Sequence, residues 1–497
     1  MKSLLYMSNT LYIDGNWQAA KAGQTWDVSS PADGHLVCTV AEAGIEDVDL
    51  ALSAARKAFD HGEFPHWSFE KRSQLVAKIA DLMERDLAIL AKLESDDTGK
   101  RLVEAEYDIA DVIGCFRHFA KIGLAAHERK VEIGLSNIDS RVVQEPIGVC
   151  TLIGPWNYPL LQVSWKVAPA LVAGCTFVVK PAELTPSTAI YLFKLMDEAG
   201  VPSGVANLIL GRGSVIGDAL TSDPRVDLVS FTGSLAVGQR IMMMAAKTIK
   251  KVALELGGKN PNIIFADANL EAAIDNAVTA GFLHSGQVCS AGTRLIVEKS
   301  IHDKVVLELV RRAKLIKVGG PNDPDTETGP LISSGHLNKV QEYVERAVNE
   351  GAKLLVGGKT LLEGDYAKGN YFPPTVLDDC HTKMSCVQDE SFGPIITVET
   401  FENEAEAIAL GNDTIYGLSG AVWSEDRQKA ERVAKALRHG TVWVNDYGPY
   451  KPQAEWGGFK ASGVGRELGE HGLQEFLESK HIWTNNKPSK SGWFREN

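Results

Sequence analysis

The segment GQVCSAGTR sets Cys289 among glycines and small side chains, so a substrate carbon can approach a thiol there closely. Upstream, KVALELGGKNP carries Glu255 as a lone carboxylate in an apolar strand that stops at Gly257-Gly258. Val252, Leu254 and Leu256 predict a dry setting that raises this carboxyl toward the range useful to a base. His284 is the rival base, but a lone histidine behind Phe282-Leu283 reads as an ordinary core or surface side chain. GPWNYPLL offers Asn157, whose amide can join the Cys289 backbone N–H in an oxyanion hole. Cys38, Cys115, Cys150, Cys175, Cys380 and Cys386 lack such flanks and read as structural. The set points to covalent chemistry through sulfur, which a hydrolase could share with a redox enzyme.

Two strand-to-helix junctions are candidates for holding phosphates. GRGSVIG follows the strand VANLIL with Gly211, Gly213 and Gly217, one residue longer than the GxGxxG fingerprint, and an ordinary tight turn is the competing reading. SFTGSLAVG repeats the idea with Thr232, Gly233 and Ser234, placing free N–H groups at a helix N-terminus, where a pyrophosphate is favoured. Lys180 and Glu183, at the end of TFVVKPAE, are in reach of ribose hydroxyls. A carboxylate at 183 would repel a 2′-phosphate, which favours NAD over NADP.

The elements that must position these groups follow from periodicity. Apolar residues recur at helical spacing from Glu46 to Lys100 (Val48, Leu52, Ala55 and Phe59, then Leu75, Ile79 and Leu82), and helix continues through EAEYDIADVIGCFRHFA. From Lys121 to Val143 that period is lost, and short alternations predict a protruding hairpin. Strands then alternate with helices: GVCTLIG, TFVVK, VANLIL, VDLVSFTG and KKVALEL, with TPSTAIYLFKLMDEAG as a helix that Thr185 caps, Pro186 opens and Gly200 stops. A second series begins after Glu255 with NIIFAD, TRLIVEKS, KLLVGGK, YFPPTVLDD, FGPIITVETF, LSGAVWS and GTVWVND. Both series predict right-handed βαβ units and parallel sheets. The tail FLESKHIWTNN reads as an exposed strand that invites pairing with another subunit.

Composition bounds the partners. A chain of 497 residues exceeds one hydrophobic core, and 44% apolar with 23% charged residues is that of an ordinary soluble protein. The net charge of −13, with no basic stripe, argues against nucleic acid and anionic lipid. Seven scattered cysteines without a CxxC pair predict neither a disulfide framework nor a metal site, and fit a reducing cytoplasm. The start, MKSLLYMSNTLYIDG, lacks a sustained apolar run, and the nearly apolar stretch from Val167 to Val179 is too short for a membrane span.

PWNYP, KPAELTP, FTGS, LELGGKNP, GQVCSAGTR, ESFGP and GGFKASGVGRELG occur in one order across most of the chain, which thereby resembles the aldehyde dehydrogenase superfamily. The resemblance implies an α/β subunit in three parts. Residues 1–120 and 143–254 would form an NAD-binding domain with an open parallel sheet, 255–450 an α/β catalytic domain, and 121–142 with 478–497 a small β oligomerisation part. It also implies roles. Cys289 would attack an aldehyde carbon, Asn157 and the Cys289 N–H would hold the oxyanion, and hydride would pass to the nicotinamide. Glu255 would then activate water against the thioester, and Lys166 and Glu467 match a second proton path whose competing reading is a structural salt bridge. Lys180 and Glu183 would bind the adenosine ribose, and Glu390 and Phe392 of ESFGP the nicotinamide ribose and ring.

Within the family the chain is similar to betaine-aldehyde and aminoaldehyde dehydrogenases. Tyr158, Trp165 and Trp456 match an aromatic box whose ring faces attract a quaternary ammonium, ordinary pocket lining being the alternative. Tyr450 offers a further wall, and Asp108 and Asp111 match acidic positions that attract amino groups. Leu283 stands where plant relatives carry an aromatic residue and Gly448 where bacterial ones carry histidine, so the pocket is expected to be looser. The implied function is NAD-dependent oxidation of betaine aldehyde to glycine betaine by a cytoplasmic homo-oligomer, dimer or tetramer. The alternative is a broad-specificity aminoaldehyde or aliphatic or aromatic aldehyde dehydrogenase.

Overall fold

The computed structural model describes residues 9–125 and 128–494. Residues 1–8, Ala126, His127 and 495–497, which belong to the ranges 1–120, 121–142 and 478–497 read from the sequence, lie outside the described residues. Four short strands come first: β1 (Leu11–Ile13), β2 (Asn16–Gln18), β3 (Thr25–Ser29) and β4 (Leu36–Ala41). Helices Ile45–His61, Phe69–Arg85, Leu87–Thr98 and Leu102–Ile122 follow, as the helical period over this stretch predicts. A hairpin of β5 (Glu128–Lys130) and β6 (Ile138–Pro146) replaces helix where the apolar period is lost.

The first alternating series gives β7 (Val149–Ile153), β8 (Thr176–Lys180), β9 (Ala206–Leu208), β10 (Leu228–Thr232) and β11 (Lys251–Glu255), mutually parallel and buried, as crossover helices on both faces require. The N-terminal β1 and β2 extend this sheet antiparallel on one side. Helix Pro159–Ala173 is buried along its whole length, which matches a sequence that is apolar nearly all round. Helix Ser187–Ala199 starts later than the Thr185 cap predicts: Pro186 is the cap residue. Asp97 supplies the missing acceptor, taking the Ser187 N–H and hydroxyl at 2.8 Å each. Gly200, at φ 93°, ends that helix as expected.

The second series gives β12 (Pro261–Ile264), β13 (Arg294–Glu298), β14 (Lys353–Val356), β15 (Thr375–Asp378), β16 (Ile395–Phe401), β17 (Ser419–Trp423) and β18 (Thr441–Val444). They make a seven-stranded sheet in the order β14-β15-β16-β13-β12-β17-β18. All its pairings are parallel except β14 against β15, so the edge strand departs from the parallel expectation. Alternation splits the core: Ile264, Leu295 and Val297 pack one face, and Ile263, Ile296 and Val422 the other. Each such fully buried aliphatic contributes about 1.5–3 kcal/mol.

The chain then returns to the first sheet. β19 (Gly463–Val464) pairs antiparallel with β11, placing Gly463 opposite Glu255. Finally β20 (Leu477–Asn485) pairs with β6 along its full length, in a small sheet ordered β20-β6-β5. Among the described residues no helix is long and apolar enough to cross a membrane, and no cluster of His, Cys, Asp and Glu could hold a metal ion.

Candidate active site

A cavity of about 890 Å³ opens where β7, β8, β10 and β11 end, the place where open α/β sheets bind ligands. Lys180 and Glu183 line it from the end of β8, with Lys180 Nζ 3.5 Å from Glu183 Oε2. Gly213 and Gly217 lie in the first two turns of helix Gly213–Ser222. A Cβ would meet nothing nearer than 3.9 Å at Gly213 and nothing within 4 Å at Gly217, so that wall is open to a ligand. Thr232, Gly233 and Ser234 lead into helix Leu235–Ala245, whose cap residue Ser234 makes no side-chain capping bond. Its first N–H groups are therefore available to an anion. This donor set, a helix N-terminus, glycine walls and a lysine-carboxylate pair, fits a dinucleotide.

Cys289, Glu255, Asn157, Tyr158, Gly257, Glu390 and Phe392 line the same cavity. Cys289 is half-buried on the turn before β13. Its carbonyl accepts from Asn260 Nδ2 at 2.9 Å, and the same amide holds Ala291 O at 3.0 Å. Asn260 Oδ1 in turn accepts from Ser419 N, and Tyr447 Oη donates to Ser290 O at 2.7 Å. Asn260 and Tyr447 thus fix the turn, although sequence reasoning did not single them out. Asn260 lies in the LELGGKNP motif, but its side-chain partners come from two distant segments. Burial pushes the Cys289 thiol up to about 12, and the Glu390 and Glu255 carboxylates push the same way. At neutral pH the resting sulfur is a thiol that needs a base.

Glu255 ends β11 with its carboxyl buried. Burial raises it well above the ordinary carboxylate range, and the neighbouring Glu467 raises it further against the pull of Lys166 and Arg466. Its Oε2 has no hydrogen-bond partner among the described residues, which leaves a lone pair for a proton or a water. Lys166 and Glu467 do pair, at 2.5 Å and fully buried, and Lys166 Nζ also donates to Thr232 Oγ1 at 2.7 Å. Asn157 donates from Nδ2 to Gln287 O at 2.9 Å, and its other amide hydrogen is uncommitted in that bond. His284 packs its ring 5.8 Å from that of Tyr158, and burial drives it well below its usual range, to the neutral form.

Glu390 accepts from Gly258 N at 3.1 Å, and burial lifts its carboxyl to about 7. Gly257 leaves room for this neighbour: a Cβ there would fall 2.1 Å from Glu390 Oε2. Phe392, at φ 50°, sets its ring 5.2 Å from Trp156, and His336 Nε2 donates to its carbonyl at 2.7 Å.

Trp165, Tyr450 and Trp456 form one cluster, with ring centroids 5.4 Å (Trp165–Tyr450), 6.0 Å (Trp165–Trp456) and 5.9 Å (Tyr450–Trp456) apart. Tyr158 is the cap residue of the helix that carries Trp165 and faces the cavity of Cys289. Each acid of the pair 108/111 has a partner inside the protein. Asp108 binds Lys100, and Asp111 accepts from Tyr450 Oη at 3.0 Å. Burial raises both carboxyls, Asp108 to about 6. Leu283 is exposed, and Gly448, at φ 96°, has open space where a Cβ would stand.

The aldehyde dehydrogenase family model matches residues 17–482. The betaine aldehyde dehydrogenase of Bacillus subtilis (strain 168) is 52% identical over 98% of this chain and 100% of its own length. The peroxisomal aminoaldehyde dehydrogenase 2 of Pisum sativum is 41% identical, over 98% and 97%. A crystal structure of Staphylococcus aureus betaine aldehyde dehydrogenase in complex with NAD+ superposes with a TM-score of 0.98 at 49% identity, covering 100% of this chain and 98% of that one. Thiol, carboxylate, amide and phosphate cradle therefore stand in a frame shared over its whole length, and the chain belongs to the aldehyde dehydrogenase family.

Proposed function

We propose that the chain oxidises betaine aldehyde to glycine betaine with NAD, in glycine betaine biosynthesis. The observation that carries the substrate is the cluster of Trp165, Tyr450 and Trp456, with Tyr158 at the cap of the helix that carries Trp165, since ring faces attract a quaternary ammonium that cannot be hydrogen-bonded. Cys289, once deprotonated, attacks the aldehyde carbon while the Asn157 amide and the Cys289 N–H hold the oxygen. Glu255 takes up the proton and later draws one from the water that hydrolyses the thioester; Lys166 and Glu467 relay it behind Glu255. NAD, when bound, supplies the electron acceptor. Lys180 and Glu183 hold its adenosine ribose, Gly213, Gly217, Thr232, Gly233, Ser234 and Gly257 give it close backbone approach, and Glu390 and Phe392 hold its nicotinamide end.

The second reading, a broad-specificity aminoaldehyde or aliphatic or aromatic aldehyde dehydrogenase, draws on exposed Leu283 and on the space at Gly448. Relative kcat/KM for betaine aldehyde, an aminoaldehyde and an uncharged aldehyde of equal size, read from NADH absorbance, separates the two. A preference for the cationic aldehydes supports the first; parity supports the second. We further propose the division into an NAD-binding part (1–120 and 143–254), a catalytic part (255–450) and an oligomerisation part (121–142 and 478–497). In this reading the small β20-β6-β5 sheet joins subunits of a cytoplasmic dimer or tetramer.

A further inference from the structure

Lys100 is 1% exposed, and the main chain delivers it rigidly. It follows Gly99, which ends helix Leu87–Thr98 at φ 73° and is wedged so tightly that a Cβ would fall 2.6 Å from Pro330 and 2.8 Å from Pro31. Ser95 Oγ holds the Lys100 carbonyl at 2.8 Å, and the Lys100 N–H donates to Thr98 Oγ1. From this anchor the ammonium pairs with Asp108 and lies 3.9 Å from Glu94 Oε1 and 4.4 Å from the centre of the Tyr158 ring. It also donates to the backbone carbonyl of Asn157 at 2.9 Å. The Asn157 side chain reaches the other way, to Gln287 O on the approach to Cys289.

A buried ammonium is costly unless paired and hydrogen-bonded. Here the Asp108 carboxylate balances the charge, and a second hydrogen goes to the backbone carbonyl of Asn157, which lines the same cavity as Cys289. The residue is thereby held from both sides, its carbonyl by Lys100 and its amide by the Cys289 loop. Neither hold is visible in the motifs, because Lys100 lies in the link between helices Leu87–Thr98 and Leu102–Ile122, and Asn157 in the turn after β7.

We infer that Lys100 is a positioning residue for aldehyde oxidation: its ammonium, balanced by Asp108, fixes the Asn157 carbonyl and so the aim of the Asn157 amide at the substrate oxygen. The inference rests on the reading of Asn157 as the oxyanion donor. The test is a double-mutant cycle on the full chain with saturating NAD and aldehyde, comparing Lys100→Met, Asn157→Ala and the double variant. Loss of one oxyanion donor costs on the order of 10²–10³ in kcat, the effect expected of Asn157→Ala. A displacement of about 1 Å costs up to about 10²-fold, so Lys100→Met should lower kcat by roughly 10- to 100-fold, with KM for NAD unchanged. In the Asn157→Ala background, where there is no amide left to aim, Lys100→Met should add less than about twofold.

Equal losses in both backgrounds would make Lys100 merely structural and overturn the inference, as would a single variant within about twofold of wild type. Wild-type activity in Asn157→Ala would overturn the oxyanion reading and this inference together, whereas a large loss there with additive effects overturns only the role of Lys100. Should Lys100→Met fail to fold because Asp108 is left unpaired, Lys100→Met with Asp108→Asn removes both charges and enters the same cycle.

Discussion

Gly257→Ala isolates the contact between the β11 turn and Glu390. Gly257 is not among the glycines with positive φ, so alanine is compatible with its backbone. The new methyl would stand 2.1 Å from Glu390 Oε2 and 2.6 Å from Oε1, whereas ordinary contact begins at 3.4 Å, so the carboxylate must retreat by 1.3 Å. That movement breaks the 3.1 Å bond from Gly258 N. Glu390 is the flexible end of a side chain, so the fold absorbs the change and the melting temperature should hold within a few degrees, as for about 1 kcal/mol in a chain of this size. The cofactor does not escape it. A hydrogen bond to a charged group is worth about 1.5–3 kcal/mol, which predicts NAD binding weakened by roughly 10- to 150-fold if the displaced carboxylate no longer meets the nicotinamide ribose. Titration calorimetry with NAD gives the affinity, and Glu390→Ala in the same background should add little further loss. A stable Gly257→Ala protein with wild-type NAD affinity would refute the assignment of Glu390 and Gly257 to the cofactor.

Cys289→Ala should abolish NADH formation from any aldehyde while leaving NAD affinity within about twofold; persisting oxidation would show that another group is the nucleophile. Glu467→Gln and Lys166→Met should move the acid limb of the kcat/KM profile in opposite directions. Glu467 raises Glu255, so its neutral variant lets Glu255 ionise at lower pH, while removing Lys166 pushes the limb to higher pH. Shifts of the same sign in both variants would mean that packing, not charge, couples the pair to Glu255. Trp456→Ala should reduce kcat/KM for betaine aldehyde by roughly 2- to 30-fold more than for a neutral aldehyde of equal size, the range of about 0.5–2 kcal/mol for a cation over a ring. Equal losses would leave the cluster as simple lining.

The strands of the two alternating series were legible because each is an apolar run closed by glycine, proline or a polar turn, from GVCTLIG for β7 to GTVWVND for β18. The N-terminal strands β1 to β4 escaped notice. Three-residue strands such as LYI and NWQ carry too little alternation to stand out; NWQ pairs with LYI, and LYI is joined to the sheet by β9, far along the chain. β19 is two residues, Gly463 and Val464, and exists only because β11 offers it an edge. At the site, the groups with intrinsic reactivity could be picked out by type and flank. The groups that hold them could not: Asn260, Tyr447 and Lys100 act through backbone carbonyls, and any residue's carbonyl looks the same in a sequence.

The same distinction bears on how a cationic aldehyde would be held. Asp108 and Asp111 invite the reading that they draw an amino group toward the pocket, yet each already has a partner. Asp108 with Lys100 presents little net charge, and the Lys100 ammonium sits over the Tyr158 ring, so one face of that ring is already serving a cation. Tyr158 is thus the weaker member of the proposed box. Asp111 works in the opposite sense: by accepting the Tyr450 hydroxyl proton in a hydrogen bond, it enriches the phenol ring and strengthens the pull of its face on a positive charge. Trp165 and Trp456 lie edge-to-face against Tyr450, an arrangement in which one ring's positive edge meets another's negative face. In the proposed reading, selectivity for a quaternary ammonium is therefore carried by the Trp165–Tyr450–Trp456 cluster with Asp111 behind it, while Asp108 serves the oxygen end of the substrate through Lys100 and Asn157.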